Sequence, residues 1–194
     1  MAFAAITDFD NRLVRTVKEQ IAAPGFMVAR YVQGERIRYY NPIGYLLLSL
    51  AASVILKNIV ISLGLDFEKD DEDSLRQFFN NYPFVEMLIV LPIISWLLKI
   101  LITKSERNYA EHLVFITYTF ATSILLYSIL SFTGIKLLDN GTRILNFVTI
   151  SYIAWAAINF NHVKPLYGFF RAWLAIICGI LMYAVPYGLI AVYF

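Results

Sequence analysis

The sequence predicts an all-α fold: a polytopic helical membrane protein with about five transmembrane helices, preceded by a cytoplasmic amphipathic helix. Three observations predict it. Hydrophobic residues make up 59% of the chain and charged ones 15%; long apolar runs recur between short polar links; and the basic residues concentrate on alternate links. A chain of 194 residues with mean hydropathy +0.64 is too apolar to shelter its side chains in one soluble core, so lipid must solvate much of it.

Taken in order, residues 8–23 place Phe9, Leu13, Val17 and Ile21 four apart on one face, with Arg12, Arg15, Lys18 and Glu19 elsewhere, which is the pattern of an amphipathic helix. Thr7 or Asp10 is a candidate cap, and Pro24 with Gly25 ends the helix. The helix lies either on lipid or on the protein's own cytoplasmic surface. The next stretch, PGFMVARYVQGERIRYYNP (24–42), interleaves Arg30, Arg36 and Arg38 with Phe26, Tyr31, Tyr39 and Tyr40. That mixture suits lipid headgroups, and it reads as a collar at the cytoplasmic interface. Gly34 is a candidate left-handed cap, and Asn41 followed by Pro42 is a helix-start signal.

Residues 1–41 thus form a cytoplasmic and interfacial segment, and 42–194 a five-helix membrane domain. Its spans are expected at about 43–65, 82–102, 112–137, 144–160 and 169–194, each long enough at ~1.5 Å per residue to cross most or all of a ~30 Å hydrocarbon core. Pro92 implies a kink in the second. Between the first two, residues 66–81 are strongly acidic and stay in water. They lack the glycine and final carboxylate of a calcium loop, so no calcium site is expected. Small residues spaced three or four apart, Ala154 and Ala157, then Ala172, Ala175 and Gly179, mark close-packing faces within one chain or between protomers. Cys178 is the sole cysteine and reads as a buried small hydrophobe.

With the N-terminus inside, eleven basic residues fall on the cytoplasmic side: Arg12, Arg15, Lys18, Arg30, Arg36, Arg38, Lys99, Lys104, Arg107, Lys164 and Arg171. Four fall outside: Lys69, Arg76, Lys136 and Arg143. The expected orientation is N-terminus in and C-terminus out.

The pattern Pro24-Gly25, Tyr31-x-x-Gly34-x-Arg36-x-x-Tyr39-x-x-Pro42, together with Asn108-Tyr109-Ala110-Glu111-His112, resembles an uncharacterised family of bacterial polytopic membrane proteins. In that family a four-cysteine zinc ribbon often precedes the collar; this chain lacks it, so no role of the ribbon carries over. The resemblance implies a bacterial inner-membrane location and no particular activity. The five-span arrangement is also similar in architecture to the Yip family of secretory-pathway membrane proteins.

The candidate lipid-binding, partner-binding or interfacial residues are Arg30, Arg36, Arg38, Tyr39, Tyr40, Glu111, His112 and His162, which all fall at cytoplasmic ends of spans. Glu111 either pairs with a collar arginine, tying the second link to the first span, or leaves the arginines to lipid phosphate. Two histidines on separate elements, with Glu111 but no further ligand pair, are too thin for a metal site, so no metal and no cofactor is expected. Lys57 and Glu86, deep in the first and second spans, form a candidate intramembrane charge pair. No nucleophile elbow, zincin motif or paired intramembrane aspartates occur, so the chain is expected not to be an enzyme. The leading expectation is a membrane-organising or lipid- or protein-binding component acting through the collar. The alternative is a small oligomeric transporter or channel. Expected partners are membrane lipids, including anionic headgroups, and a second copy or another membrane protein; nothing points to nucleic acid.

Overall fold

The computed structural model describes residues 2–65, 83–102, 106–135 and 140–193, with side chains accounted for over 11–65, 85, 87–102, 106–135 and 140–182. Among these residues the chain is helical throughout, without strands. Helix α1 spans Ala2–Ala22, α2 Pro24–Val32, then a 3-10 turn Arg36–Arg38, α3 Pro42–Ser62, α4 Pro83–Leu101, α5 Tyr109–Ser131, α6 Gly141–Asn161 and α7 Pro165–Tyr193. The acidic segment 66–81 lies outside the described residues.

Local chemistry sets several of these boundaries. Pro24 opens α2, and the turn after it closes on Gly34 at φ 122°, where the Glu35 N–H donates to the Arg30 carbonyl and the Gly34 N–H to that of Tyr31. A side chain at that φ would be strained, so glycine is the residue that allows the turn. Pro42 occupies the first turn of α3, and the Asn41 side chain accepts from the Gly44 N–H at 2.6 Å. Asn108 and Glu111 form a reciprocal capping box at the start of α5, at 2.9 and 3.2 Å.

Four helices are long and apolar enough to cross a membrane: Arg36–Ser62, Tyr109–Ser131, Gly141–Asn161 and Pro165–Met182. The apolar stretch Met87–Leu101 of α4 is shorter. Helix α4 continues through Pro92. Helix α6 takes in polar residues on both sides of the expected 144–160, and α5 ends at Ser131 instead of Leu137. These helices differ from those of a soluble bundle in what they bury and expose beside an apolar core. Hydroxyl residues such as Ser49, Ser95, Thr119 and Thr122 are buried, whereas Leu47, Ile55, Leu88, Trp96, Phe170 and Leu174 are exposed. Water would penalise that arrangement and lipid favours it, which gives the chain integral-membrane character.

Helices α4, α5, α6 and α7 close into a ring, each packing on its neighbours, and α3 lies against α5. The small residues lie in this ring. Ala154, Ala157, Ala172 and Ala175 are fully buried, and a methyl on Gly179 would come within 2.6 Å of Ile94 Cγ1, so α7 meets α4 at close range. The small-residue faces therefore join helices of one chain.

Tyr118 donates to the Tyr40 carbonyl, which sets the start of α3 level with the third turn of α5. Residues 109–117 of α5 thus rise about 14 Å past α3 at one end of the bundle. Helices α1 and α2 meet α5 at the foot of that rise, α2 through Tyr31 and Tyr118 and α1 through Gln20 and Thr122.

Helix α1 differs from expectation in two ways. It begins at Ala2, ahead of Thr7 and Asp10, so neither residue caps it. Its side toward the bundle buries Thr16 and Gln20 completely, with Leu13 and Val17 half-buried, while Val14 and Ile21 are 64% and 53% exposed. The inward face is rotated because the interior it meets is itself polar.

Candidate functional site

The end of the bundle that carries α1, α2 and the collar gathers most of the residues expected to matter. Helix α2 is wedged against α6 through Gly25. A methyl there would collide with the Ala156 carbonyl and lie 2.6 Å from the Phe160 amide nitrogen. Met27, Val28 and Ala29 follow into the core, so the first half of the collar is structural.

The second half divides by side. Tyr39 is buried, and its hydroxyl donates to the Glu19 carboxylate at 2.8 Å; Arg30 pairs with the same carboxylate at 2.9 Å. The Tyr40 amide donates to Thr16 Oγ1 at 2.9 Å, while its carbonyl accepts from Tyr118. Two consecutive tyrosines therefore anchor the collar to α1 and α5. The 3-10 turn just before them points outward. Arg36 and Arg38 are exposed, and Ile37 between them is 78% exposed. Arg38 pairs with Glu35 at 2.6 Å, both well exposed.

Glu111 does not meet these arginines. Its carboxylate is held by the Asn108 amide in the capping box, with Arg107 at 4.0 Å. The (i, i+3) reach of a helix cap is local and entropically cheap, so it prevails over a pairing across the chain. His112 is buried: Nδ1 donates to the Asn108 carbonyl at 2.9 Å, and the ring stands edge-on to Phe160 at 5.7 Å. His162 is exposed, holds the left-handed position after α6 at φ 50°, and lies against Phe26 at 6.2 Å. Among the described residues no group of three His, Cys, Asp or Glu side chains is placed to hold a metal ion.

Beneath the collar lies a buried polar node that sequence reasoning missed. The Tyr152 hydroxyl donates to the Gln20 backbone carbonyl at 2.9 Å and lies 3.1 Å from Gln20 Oε1. Thr122 Oγ1 is 3.5 Å from that amide oxygen and 3.0 Å from the Tyr45 hydroxyl. The node joins α1, α3, α5 and α6. Its one sequence signal is a glutamine falling seven residues after Leu13 and three after Val17 on the apolar side of the helix. At the same end Arg171 donates to the Leu101 carbonyl at 2.7 Å and lies over the Tyr167 ring, fastening α7 to the last turn of α4.

Of the proposed charge pair, Lys57 lies on the exposed side of α3. Glu86 is on the first turn of α4, with its side chain outside the described residues.

Over residues 10–54 the chain matches a family of proteins of unknown function, DUF3667. The matched segment covers most of α1, all of α2, the collar and the first half of α3, which are the elements that build this end. It stops short of Asn108–His112. No curated protein and no solved structure matches the chain.

Proposed function

We propose that this is a non-catalytic inner-membrane protein whose collar binds anionic lipid headgroups at the cytoplasmic face. The observation that carries the reading is the Arg36–Arg38 turn. It holds a 78% exposed isoleucine between two exposed arginines, while Tyr39 and Tyr40 fix its base to α1 and α5. An apolar tip flanked by guanidinium groups suits the boundary between acyl chains and phosphates. The exposed Val14 and Ile21 of α1, beside Arg15 and Lys18, extend an amphipathic surface along that boundary.

In this reading the N-terminus is inside and α4 counts as a fifth crossing, placing the C-terminus outside. Its support is the excess of basic residues on one set of links and the length of α4. At 19 residues, α4 spans about 28 Å beside α5 and α7.

The lipid reading is tested in nanodiscs of mixed phosphatidylglycerol and phosphatidylethanolamine, by native mass spectrometry of retained lipids. An arginine near an anionic surface contributes about 1 kcal/mol, on the order of fivefold in affinity. The Arg36→Gln/Arg38→Gln variant is therefore expected to lose most of the phosphatidylglycerol preference, and 0.5 M salt to do the same to the wild type. An unchanged preference in both arms refutes the reading.

A further inference from the structure

At the end of the bundle away from the collar, a cavity of about 650 Å³ lies among α3, α4, α5, α6 and α7. Nothing in the collar reading uses it. Its size is within the range of small-molecule sites. At about 30 Å³ per water-sized group, it holds about 20 such groups, close to one long acyl chain.

The cavity is polarised along its length. The deep part, nearest the buried node, is walled by Leu50, Ile94, Phe120, Ile153 and Ile176. Polar lining residues gather toward the other end, where α3 and α5 finish and α6 begins: Lys57, Tyr127, Ser128, Ser131 and Asn146. The serine hydroxyls of this wall donate to carbonyls of their own helix, Ser128 to Ile124 at 2.9 Å and Ser131 to Tyr127 at 2.9 Å. Their protons are already used, so an apolar chain passing beside them leaves no donor stranded.

The cavity also has a side. Helices α3 and α4 are consecutive and both contribute lining residues, yet they scarcely touch each other. Val54 of α3 lines the cavity and is 51% exposed, and Ile55 and Leu88 on the same two helices are exposed as well, an apolar surface of the kind that faces acyl chains. A site entered from that direction receives its ligand from the bilayer.

We infer that this cavity binds one acyl chain of an anionic membrane lipid, entering between α3 and α4, with its tail against Phe120 and Ile153 and its headgroup at the Lys57 end. The ammonium of Lys57 and the amide of Asn146 supply hydrogen-bond donors for a phosphate at the polar end of the cavity. At the floor the tail meets mainly carbon, and Ser53 and Ser123, which also line that half, donate to the Leu50 and Phe120 carbonyls of their own helices. This site and the collar turn occupy opposite ends of the bundle and operate independently.

The test is photocrosslinking in nanodiscs, with phosphatidylglycerol or phosphatidylethanolamine bearing a diazirine near the end of one acyl chain and the labelled peptides mapped. Expected is labelling of residues 120–124 and 150–153 by the phosphatidylglycerol probe, saturating with dose and displaced by unlabelled phosphatidylglycerol. Two filling variants on different helices, Ser53→Phe and Ile150→Trp, should each lower that labelling at least threefold while labelling around exposed Leu166 stays constant. Lys57→Gln should lower labelling by phosphatidylglycerol and leave that by phosphatidylethanolamine unchanged. Non-saturating labelling of the wild type overturns the site without recourse to any variant. Undiminished labelling in a filled variant that melts normally does so too, and equal loss of both probes in Lys57→Gln overturns the headgroup assignment.

Discussion

Replacing Gly25 by alanine tests whether the collar is built on the bundle or merely lies beside it. Ordinary carbon contacts begin near 3.4 Å, and the added methyl would stand 2.6 Å from the Phe160 amide nitrogen and nearer still to the Ala156 carbonyl. Both obstacles are backbone atoms inside a helix, which no rotamer change removes. Helix α2 must therefore back away from α6 by about 0.8 Å or more, loosening Met27, Val28 and Ala29, which are at most 4% exposed. Overpacking of this kind costs about 1–3 kcal/mol. For a chain of this length, each kcal/mol lowers the melting temperature by about 2–4 °C, so a drop on the order of 5 °C is expected. The assay is thermal unfolding of purified protein in one mild detergent, with exposed Ala22→Leu as the control for an enlarged side chain. Because α2 carries the collar, Gly25→Ala should also weaken the phosphatidylglycerol preference. A Gly25→Ala protein that melts with the wild type refutes the wedge of α2 against α6.

The buried node predicts that Tyr152→Phe destabilises by about 1–2 kcal/mol, because it takes the donor from both the Gln20 backbone carbonyl and Oε1, that Gln20→Leu costs less, because the backbone carbonyl still accepts from Tyr152, and that the double variant loses less than their sum; melting temperatures of the four proteins measure the coupling, and strict additivity counts against it. Asn108→Ala should cost about 1 kcal/mol through the lost cap of α5, whereas Glu111→Gln, which preserves a capping box, should change the melting temperature little. A larger loss in Glu111→Gln than in Asn108→Ala would mean the carboxylate has a partner beyond the cap. For topology, single cysteines at Asp71 and Lys104 in a Cys178→Ala background should respond oppositely to an impermeant thiol reagent, position 71 labelling from outside and 104 only after permeabilisation.

Much of the architecture was legible because membrane insertion is written in local composition. A run of some twenty apolar residues must cross or be buried wherever it occurs, and the expected span 43–65 starts one residue inside the helix Pro42–Ser62 and runs three residues past its end. Caps are local too. Asn41-Pro42 and Gly34 act through atoms a few residues away, so their roles follow from type and order alone. What could not be read was partner choice between distant side chains. Glu19 meets Arg30 and Tyr39 only because α1 folds back against the collar, whereas Glu111 closes on Asn108 three residues away and takes no collar arginine.

By itself the sequence determined the helical class, the apolar spans, the positions of several helix ends and the basic, aromatic collar, all set by side-chain chemistry over a turn or a span. Tertiary structure decided which face of α1 turns inward. Helical periodicity marks Leu13, Val17 and Ile21 as one stripe, but burial went to Thr16 and Gln20, because the Tyr40 amide of the collar awaited Thr16 and hydroxyls of α5 and α6, more than a hundred residues on, awaited Gln20. It also decided the cavity. No local pattern announces that α3 and α4, joined in sequence, stand apart in space, since the gap arises from α3 choosing α5 and α4 choosing α7 as packing partners. Lipid rewards no single apolar pairing over another, so shape and buried polar atoms select the partners, and both are properties of the assembled bundle.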